Sequence, residues 1–159
     1  MPVESSKALG TIDDLRYRHT THRSLCAAKK DDTYAFLMYA NTGWRDGYYS
    51  LPAEKVEKQG SALEGAIREA WEEVGISVQA SDLVYALTSH RFEDGTDWVD
   101  VVFVADTWQG EVINNEPHVH SELIWLALEK LPENVTPSQR FMLEQIKLGK
   151  SYCDFGWNT

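Results

Sequence analysis

The sequence predicts a single α/β domain in which a mixed β-sheet lies between helices. Two strand pairs, within 24–40 and 82–108, flank one amphipathic helix, and a second helix follows at 138–148. Strands on both sides of a central helix, with a further helix near the end of the chain, favour such a layered arrangement. The length of 159 residues suits one domain that buries a sizeable core.

The individual elements follow from hydrophobic alternation and from turn residues. Each strand pair is predicted to form a hairpin, turning through Asp31–Asp32 in the first and through EDGTD at 93–97 in the second. In chain order, the predicted elements are a strand at 24–30, a strand at 33–40, a loop at 41–47, a short strand at 48–51, the central helix, strands at 82–92 and 98–108, a loop at 110–117, a strand at 122–128 and the terminal helix. Residues 1–14 and 150–159 are predicted to be peripheral to the domain 1–159, the first as a loose end or short helix.

The central helix has recognisable start and stop signals. Ser61 followed by Glu64 forms a capping-box pattern, and Gly75 stands where a left-handed C-terminal cap would fall. Five residues at helical spacing are predicted to face the core: Leu63, Ile67, Ala70, Trp71 and Val74.

Three glutamates crowd a second face of this helix. Glu69, Glu72 and Glu73 stand at i, i+3 and i+4 and repel one another. Arg68 offsets only part of that charge, and a divalent cation would offset the rest. Taken alone, such a pattern is also typical of a solvated helix surface.

The segment LPAEKVEKQGSALEGAIREAWEEVGI as a whole resembles the Nudix (MutT-like) signature, G-x5-E-x7-R-E-U-x-E-E-x-G-U, where U is apolar. Seven residues match it in order and spacing: Arg68, Glu69, Ala70, Glu72, Glu73, Gly75 and Ile76. Two positions depart from it, because Glu54 replaces the first glycine and Gly60 replaces the leading glutamate. If position 54 needs a positive φ, we expect either a reshaped loop or strain at Glu54.

The resemblance implies a Nudix fold, an α/β/α sandwich with a mixed sheet and a loop–helix–loop catalytic motif. It also implies a divalent-metal-dependent pyrophosphohydrolase that uses Mg²⁺, or Mn²⁺, to cleave a nucleoside triphosphate or another nucleoside diphosphate derivative. Metal ions neutralise the charge of the phosphoanhydride and lower the pKa of bound water. The implied catalytic residues are Arg68, Glu69, Glu72 and Glu73, with Glu69 as a metal ligand or the general base and Arg68 pairing with Glu57 or Glu72.

The metal ligands implied by the resemblance are Glu69, Glu72, Glu73 and the main-chain carbonyl of Ala53. Glu116, in the loop after the second hairpin, has the spacing at which MutT-like enzymes carry a further ligand. Tyr39, Arg45 and Lys55 are candidates for substrate binding, since the strand around Tyr39 lacks the arginine that relatives often carry there.

The composition of the chain limits the kinds of molecule that it is expected to bind. A net charge of −10 without a basic stripe argues against a nucleic-acid polymer, and no apolar run approaches the ~20 residues of a membrane span. Cys26 and Cys153 lie outside any metal-type spacing, which favours reduced thiols in a cytoplasmic protein. A small nucleotide is therefore the expected partner, and a homodimer is left open.

A second hypothesis comes from the altered loop. With Glu54 and Gly60 outside the family pattern, the chain could instead be a Nudix-fold nucleotide-binding or regulatory module with weak or no hydrolysis.

Overall fold

The computed structural model describes residues 19–158, in which one sheet of eight strands is covered by two α-helices. The strands are β1 (Thr20–Lys30), β2 (Thr33–Tyr39), β3 (Tyr49–Ser50), β4 (Ala53–Lys55), β5 (Leu83–Glu93), β6 (Thr96–Ala105), β7 (His120–Ala127) and β8 (Tyr152–Phe155). The helices are α1 (Ala62–Val74) and α2 (Pro137–Lys147), with single 3₁₀ turns at Ala80–Asp82 and Leu128–Lys130. The predicted end at 1–14 lies outside the described residues.

The first predicted hairpin forms, but its two strands soon part. β1 and β2 pair only beside the turn, at Lys29↔Tyr34 and Lys30↔Thr33. Beyond that point β1 runs parallel to β6, while β2 pairs antiparallel with β7 and β3. The longest path through the sheet is β3-β2-β1-β6-β5-β8, and β4 pairs with β1. The sheet is therefore mixed, as predicted, and β1 is its central strand.

Both faces of β1 are buried because successive side chains of a strand point to opposite faces. Leu25 and Ala27 belong to a core cluster that includes Met142 of α2. Cys26 and Ala28 belong to a second cluster on the opposite face, formed with α1. The two clusters make the α/β/α sandwich that the sequence predicted.

The second hairpin is confirmed, with a tighter turn than EDGTD suggested. Asp94 and Gly95 have φ values of 51° and 75°, the left-handed pair that a two-residue hairpin loop requires. The C-terminal segment, left without an assigned element by the sequence, forms β8 and pairs parallel with β5 at the edge of the sheet. Both cysteines are free and buried. Within residues 19–158, neither helix is long and apolar enough to cross a membrane.

The two caps of α1 are confirmed, while its buried face differs from the prediction. Ser61 and Glu64 form the capping box, and Gly75 closes the helix at φ 71°. Trp71, predicted to face the core, is 62% exposed, whereas Glu69 is fully buried. The stripe facing the sheet is built from small residues, namely Gly65, Ala66 and Ala70, together with Glu69 and Val74. Trp71 is two residues, or about 200° around the helix, from the buried Glu69, and so lies on the face opposite the sheet.

Candidate active site

The altered motif loop forms an unstrained strand. Glu54 lies in β4, opposite Ser24 of β1, and this antiparallel pairing holds its backbone extended. The positive φ of the loop falls instead at Gln59, with a value of 70°. The expected strain at Glu54 is therefore absent, and the loop is reshaped as the other alternative foresaw.

A buried carboxylate lies at the centre of the site. Glu69 is fully buried, and no N–H or O–H group in residues 19–158 donates to either of its carboxylate oxygens. One oxygen each from Glu54, Glu69 and Glu72 lie within 4.8 Å of one another. Burial, together with the adjoining carboxylates of Glu54 and Glu73, raises the pKa of Glu69 to about 11. Such an uncompensated cluster is stable only if it holds protons or a cation.

Glu73 connects the helix to the motif loop. Its Oε2 accepts a hydrogen bond of 3.2 Å from the backbone N–H of Ala53. Burial and the charge of Glu116 raise the pKa of Glu73 to about 8, against the lowering effect of that amide. The structure thus brings Ala53 to the carboxylates, as the metal-ligand prediction requires, although the contact it shows is made by the amide.

Glu116 approaches the cluster because its loop is fastened to the end of α1. The backbone N–H of Asn115 donates to the carbonyl of Glu73 at 3.0 Å, and the Asn115 side chain donates to the carbonyls of Trp71 and Glu72 at 3.3 and 3.2 Å. The bonds to Glu72 and Glu73 satisfy carbonyls that a helix C-terminus leaves free, whereas the carbonyl of Trp71 also accepts from the N–H of Gly75 at 3.1 Å. Burial raises the pKa of Glu116, opposed by His118 and reinforced by Glu54 and Glu72.

Arg68 makes the ion pairs expected from the sequence. Its Nη1 lies 3.1 Å from Glu57 Oε2, and its Nε lies 3.9 Å from Glu72 Oε1. The guanidinium therefore binds the loop to the helix at the rim of the cluster, where it neutralises part of the charge.

The donor set fits a hard divalent cation. Oxygens bound to one Mg²⁺ at about 2.1 Å can lie no more than about 4.2 Å apart. The oxygens of Glu54, Glu69 and Glu72 lie within 4.8 Å of one another, less than an ångström more than this maximum separation. Glu54 and Glu72 are at the surface, where their side chains can move closer. Carboxylate oxygens without nitrogen or sulfur ligands suit Mg²⁺ or Mn²⁺.

A cavity of about 500 Å³ adjoins the cluster, and Glu54 lines both. Trp98 forms one wall, with the cationic groups of Arg91, Lys55 and Arg23 at 4.6, 5.7 and 5.9 Å from its ring centroid. The other lining residues are Trp44, Ala53, Glu93, Asp94 and Thr96. The cavity thus offers aromatic surface and positive charge next to a group of carboxylates.

Two of these cations are fixed by one buried acid. Arg23 Nε and Arg91 Nε donate to the two oxygens of Asp100 at 2.9 and 2.5 Å, and Asp100 is fully buried. Arg91 Nη1 also donates to Glu93 at 2.6 Å. The guanidinium groups are therefore held in place before any ligand arrives.

Of the three predicted substrate-binding residues, only Lys55 lines the cavity, while Arg45 and Tyr39 contact its wall residue Trp44, at 5.8 and 5.6 Å from the ring centroid. Arg45 Nη2 donates to Glu93 at 3.2 Å, and the Tyr39 hydroxyl lies 3.1 Å from the Ser50 hydroxyl.

Sequence reasoning named Lys55 and Ala53 but missed Arg23 and Arg91 of the cavity lining, the buried Asp100 that holds them, and the position of Glu54 beside Glu69. Arg91 and Asp100 stand inside predicted strands and Arg23 directly precedes one, and charged residues in or beside a buried strand are the signal that could have pointed to them. Glu54 was interpreted as damage to the loop, since its distance from Glu69 depends on how β4 pairs with β1.

The sandwich, together with a loop and a helix that present clustered glutamates, defines the class of the protein. The family model of the NUDIX domain matches residues 20–146. The chain belongs to the NUDIX domain family. Comparison with curated protein sequences gives no significant match.

Solved structures of similar proteins agree with this assignment. The crystal structure of a MutT NUDIX hydrolase from Burkholderia pseudomallei is 26% identical, with a TM-score of 0.73 over 80% of this chain and 98% of its own. A MutT protein from Methanosarcina mazei Go1 is 22% identical, with a TM-score of 0.71 over 82% and 94% of the two chains, and shares the fold.

Proposed function

We propose that this protein is a divalent-metal-dependent pyrophosphohydrolase that cleaves a nucleoside triphosphate or another nucleoside diphosphate derivative. The observation that carries the proposal is the buried Glu69, which has no hydrogen-bond donor within residues 19–158 and faces further carboxylates at the edge of a cation-lined cavity. Membership of the NUDIX family supports hydrolysis of a phosphoanhydride.

Exchange of protons for a cation would be favourable in the cluster of glutamates around Glu69. With pKa values raised to about 11 for Glu69 and about 8 for Glu73, both groups hold protons at neutral pH in the metal-free state. A bound cation favours the ionised forms and so lowers these pKa values. Glu69, Glu72 and Glu73 are the helix carboxylates that would hold Mg²⁺, which when bound would neutralise phosphate charge and acidify water.

The protein's own side chains would position the metal ligands and deprotonate the attacking water. Glu69 is the innermost carboxylate, shielded from bulk water, and in its ionised form it can accept a proton from an attacking water. Arg68 holds Glu72 and the motif loop together. Glu116 lies near Glu54 and Glu72 on a loop fixed to the helix, and we assign it to the same ligand group.

The cavity is assigned to the nucleoside part of the substrate. Trp98 and Trp44 offer aromatic surface on which a base can stack, and Lys55, Arg23 and Arg91 supply positive charge near the phosphates. A protein of net charge −10 gives a polyanion no long-range attraction, and Glu54, Glu93 and Asp94 also line the cavity, so these cations act on the phosphates only at short range. The proposed partner is therefore a small nucleotide.

The binding-only alternative lost its main physical support. It depended on damage at Glu54, yet Glu54 lies in a regular strand, and its carboxylate joins Glu69 and Glu72. The hydrolase is accordingly the function we propose.

A substrate screen tests this function. Nucleoside triphosphates and nucleoside diphosphate derivatives are incubated with Mg²⁺ or Mn²⁺, and the products are identified by chromatography and mass spectrometry. We expect release of a nucleoside monophosphate that requires the metal, with Glu72→Gln slower by roughly 10²-fold or more. Glu144→Gln, on the exposed side of α2, is the matched control and should retain the wild-type rate. Wild-type turnover by Glu72→Gln on a good substrate would refute the proposal.

A further inference from the structure

Glu54 occupies a position where the family signature has glycine, and its carboxylate reaches the centre of the acidic cluster. One of its oxygens lies within 4.8 Å of oxygens of Glu69 and Glu72. The signature's leading glutamate is absent, because Gly60 stands there. Compared with the signature, the motif loop therefore has a carboxylate at position 54 and none at position 60.

The local backbone explains how Glu54 is brought to the cluster. β4 pairs antiparallel with β1 through Arg23↔Lys55, Ser24↔Glu54 and Leu25↔Ala53. Helix α1 packs against the same strand, and Ser24 Oγ donates to the carbonyl of Ala62 at 2.7 Å. A glutamate side chain at position 54 thus spans a short, fixed distance from β4 to α1.

An independent observation indicates that the cluster holds a ligand. Both oxygens of Glu69 are buried and receive no hydrogen bond from any group in the described part of the chain. A buried acceptor of this kind is costly unless a donor or a cation satisfies it. The groups facing it from the loop and the helix are themselves carboxylates, so only protons shared among them or a bound cation can satisfy it, and a divalent cation is the ligand that displaces such protons.

We propose that Glu54 is a direct ligand of the catalytic divalent cation, a contribution from the motif loop that is particular to this chain. This inference rests on the proposed metal-dependent function. It makes the residue that replaces the signature glycine an added metal ligand, and it gives the ion a carboxylate from β4 in addition to those from α1. Because Glu54 also lines the cavity, the ligand borders the space assigned to the nucleotide.

Metal affinity is the direct test. Metal-free protein is titrated with Mn²⁺, and free Mn²⁺ is followed by electron paramagnetic resonance. We expect Glu54→Gln to weaken Mn²⁺ binding about tenfold or more, because it removes a charged oxygen ligand from the ion. Glu57→Gln removes the same charge from the same loop, at a side chain that pairs with Arg68. It should weaken binding less than threefold.

A second pair of variants separates direct ligation from a general loss of negative charge. Glu54→Cys places a thiolate, which prefers soft metals, at the proposed ligand position. Addition of Cd²⁺ should then produce a thiolate-to-metal charge-transfer band, and Glu57→Cys should produce none. The native thiols of Cys26 and Cys153 are buried, and the wild-type protein gives their background.

The outcomes are distinguishable from failure of the proposed function. Equal Mn²⁺ affinities for Glu54→Gln and Glu57→Gln, or no Cd²⁺ band in Glu54→Cys, overturn the role of Glu54 even in an active enzyme. A protein that shows both effects but hydrolyses no nucleotide keeps this metal ligand and loses the enzyme proposal.

Discussion

Ser24 of β1 lies directly beneath Gly65 of α1, and a Cβ added at position 65 would lie 2.8 Å from Ser24 Oγ. The same hydroxyl donates to the carbonyl of Ala62 at 2.7 Å. The helix that carries the glutamates is thus held at a short separation from the strand that pairs with Glu54. Fold and site depend on the same contact.

Gly65→Ala should destabilise the protein. Overpacking of a tight contact lowers the free energy of unfolding by about 1–3 kcal/mol, and the higher helix propensity of alanine offsets up to about 1 kcal/mol of this loss. We expect a net loss of about 1–2 kcal/mol in the free energy of unfolding, measured by urea denaturation. The double variant Ser24→Ala/Gly65→Ala removes the Oγ and should show a favourable coupling of about 1 kcal/mol. Wild-type stability of Gly65→Ala would mean that the helix is free to move away from β1.

Asp100→Asn should have a larger effect on stability. Asp100 is fully buried and accepts hydrogen bonds from Arg23 and Arg91, so its neutralisation leaves two guanidinium groups short of a counter-charge. Removing one partner of a buried ion pair costs about 3–5 kcal/mol, and we expect a loss of that size in urea denaturation.

The matched control for Asp100→Asn is an exposed ion pair. Lys147 Nζ lies 2.6 Å from Glu129 Oε1 at the surface, with side chains 51% and 69% exposed. Glu129→Gln should change the free energy of unfolding by less than about 1 kcal/mol. Similar losses in the two variants would contradict the importance of burial around Asp100.

The metal-free protein should become less stable as pH rises. Burial and neighbouring carboxylates raise the pKa of Glu69 to about 11, and burial and Glu116 raise that of Glu73 to about 8. Unfolded glutamates titrate near pH 4.3, so between about pH 5 and pH 8 the native state binds more protons than the unfolded state. The free energy of unfolding then falls with pH, by up to about 1.4 kcal/mol per pH unit for each extra proton.

Thermal denaturation in a chelator between pH 5 and pH 9 measures this slope. Glu69→Gln should flatten it, because the amide does not titrate, whereas Glu144→Gln on the exposed side of α2 should leave it unchanged. Mn²⁺ should raise the melting temperature more at pH 8 than at pH 6, because it competes with bound protons. A flat wild-type profile would show that the carboxylates are ionised without metal.

Lys55 should contribute to substrate binding. It lines the cavity, with its Nζ 5.7 Å from the Trp98 ring centroid. Loss of a charge-assisted contact with phosphate, worth about 1.5–3 kcal/mol, predicts that Lys55→Gln raises KM about tenfold or more, with a smaller change in kcat. Steady-state kinetics on the substrate found by screening would measure this.

Lys58→Gln serves as the control for Lys55→Gln. Lys58 is exposed in the same loop, and it is not among the residues that line the cavity. Its substitution should leave KM within about twofold of the wild type, a change of under 0.5 kcal/mol typical of surface sites. Equal increases of KM in both variants would point to general electrostatic attraction rather than to a contact in the cavity.

The sequence by itself determined the order of the two helices and the longer strands, the caps of α1 and the family, but not the short strands β4 and β8. Those features depend on neighbouring residues: the capping box of Ser61 and Glu64, the left-handed position of Gly75 and the helical spacing of Glu69, Glu72 and Glu73. Each of these features is set by local conformational preferences, and such preferences can be recognised from the spacing of residues in the sequence.

Tertiary structure alone decided which of these residues are buried and what faces them. The separation of β1 from β2 after a short hairpin, the burial of Glu69 and the exposure of Trp71 all depend on which strands pair across long sequence distances. The sequence marked Glu54 as a departure, but only its pairing opposite Ser24 brings it to Glu69 and Glu72. A single chain pattern cannot specify such distances, because they follow from packing that involves the whole sheet.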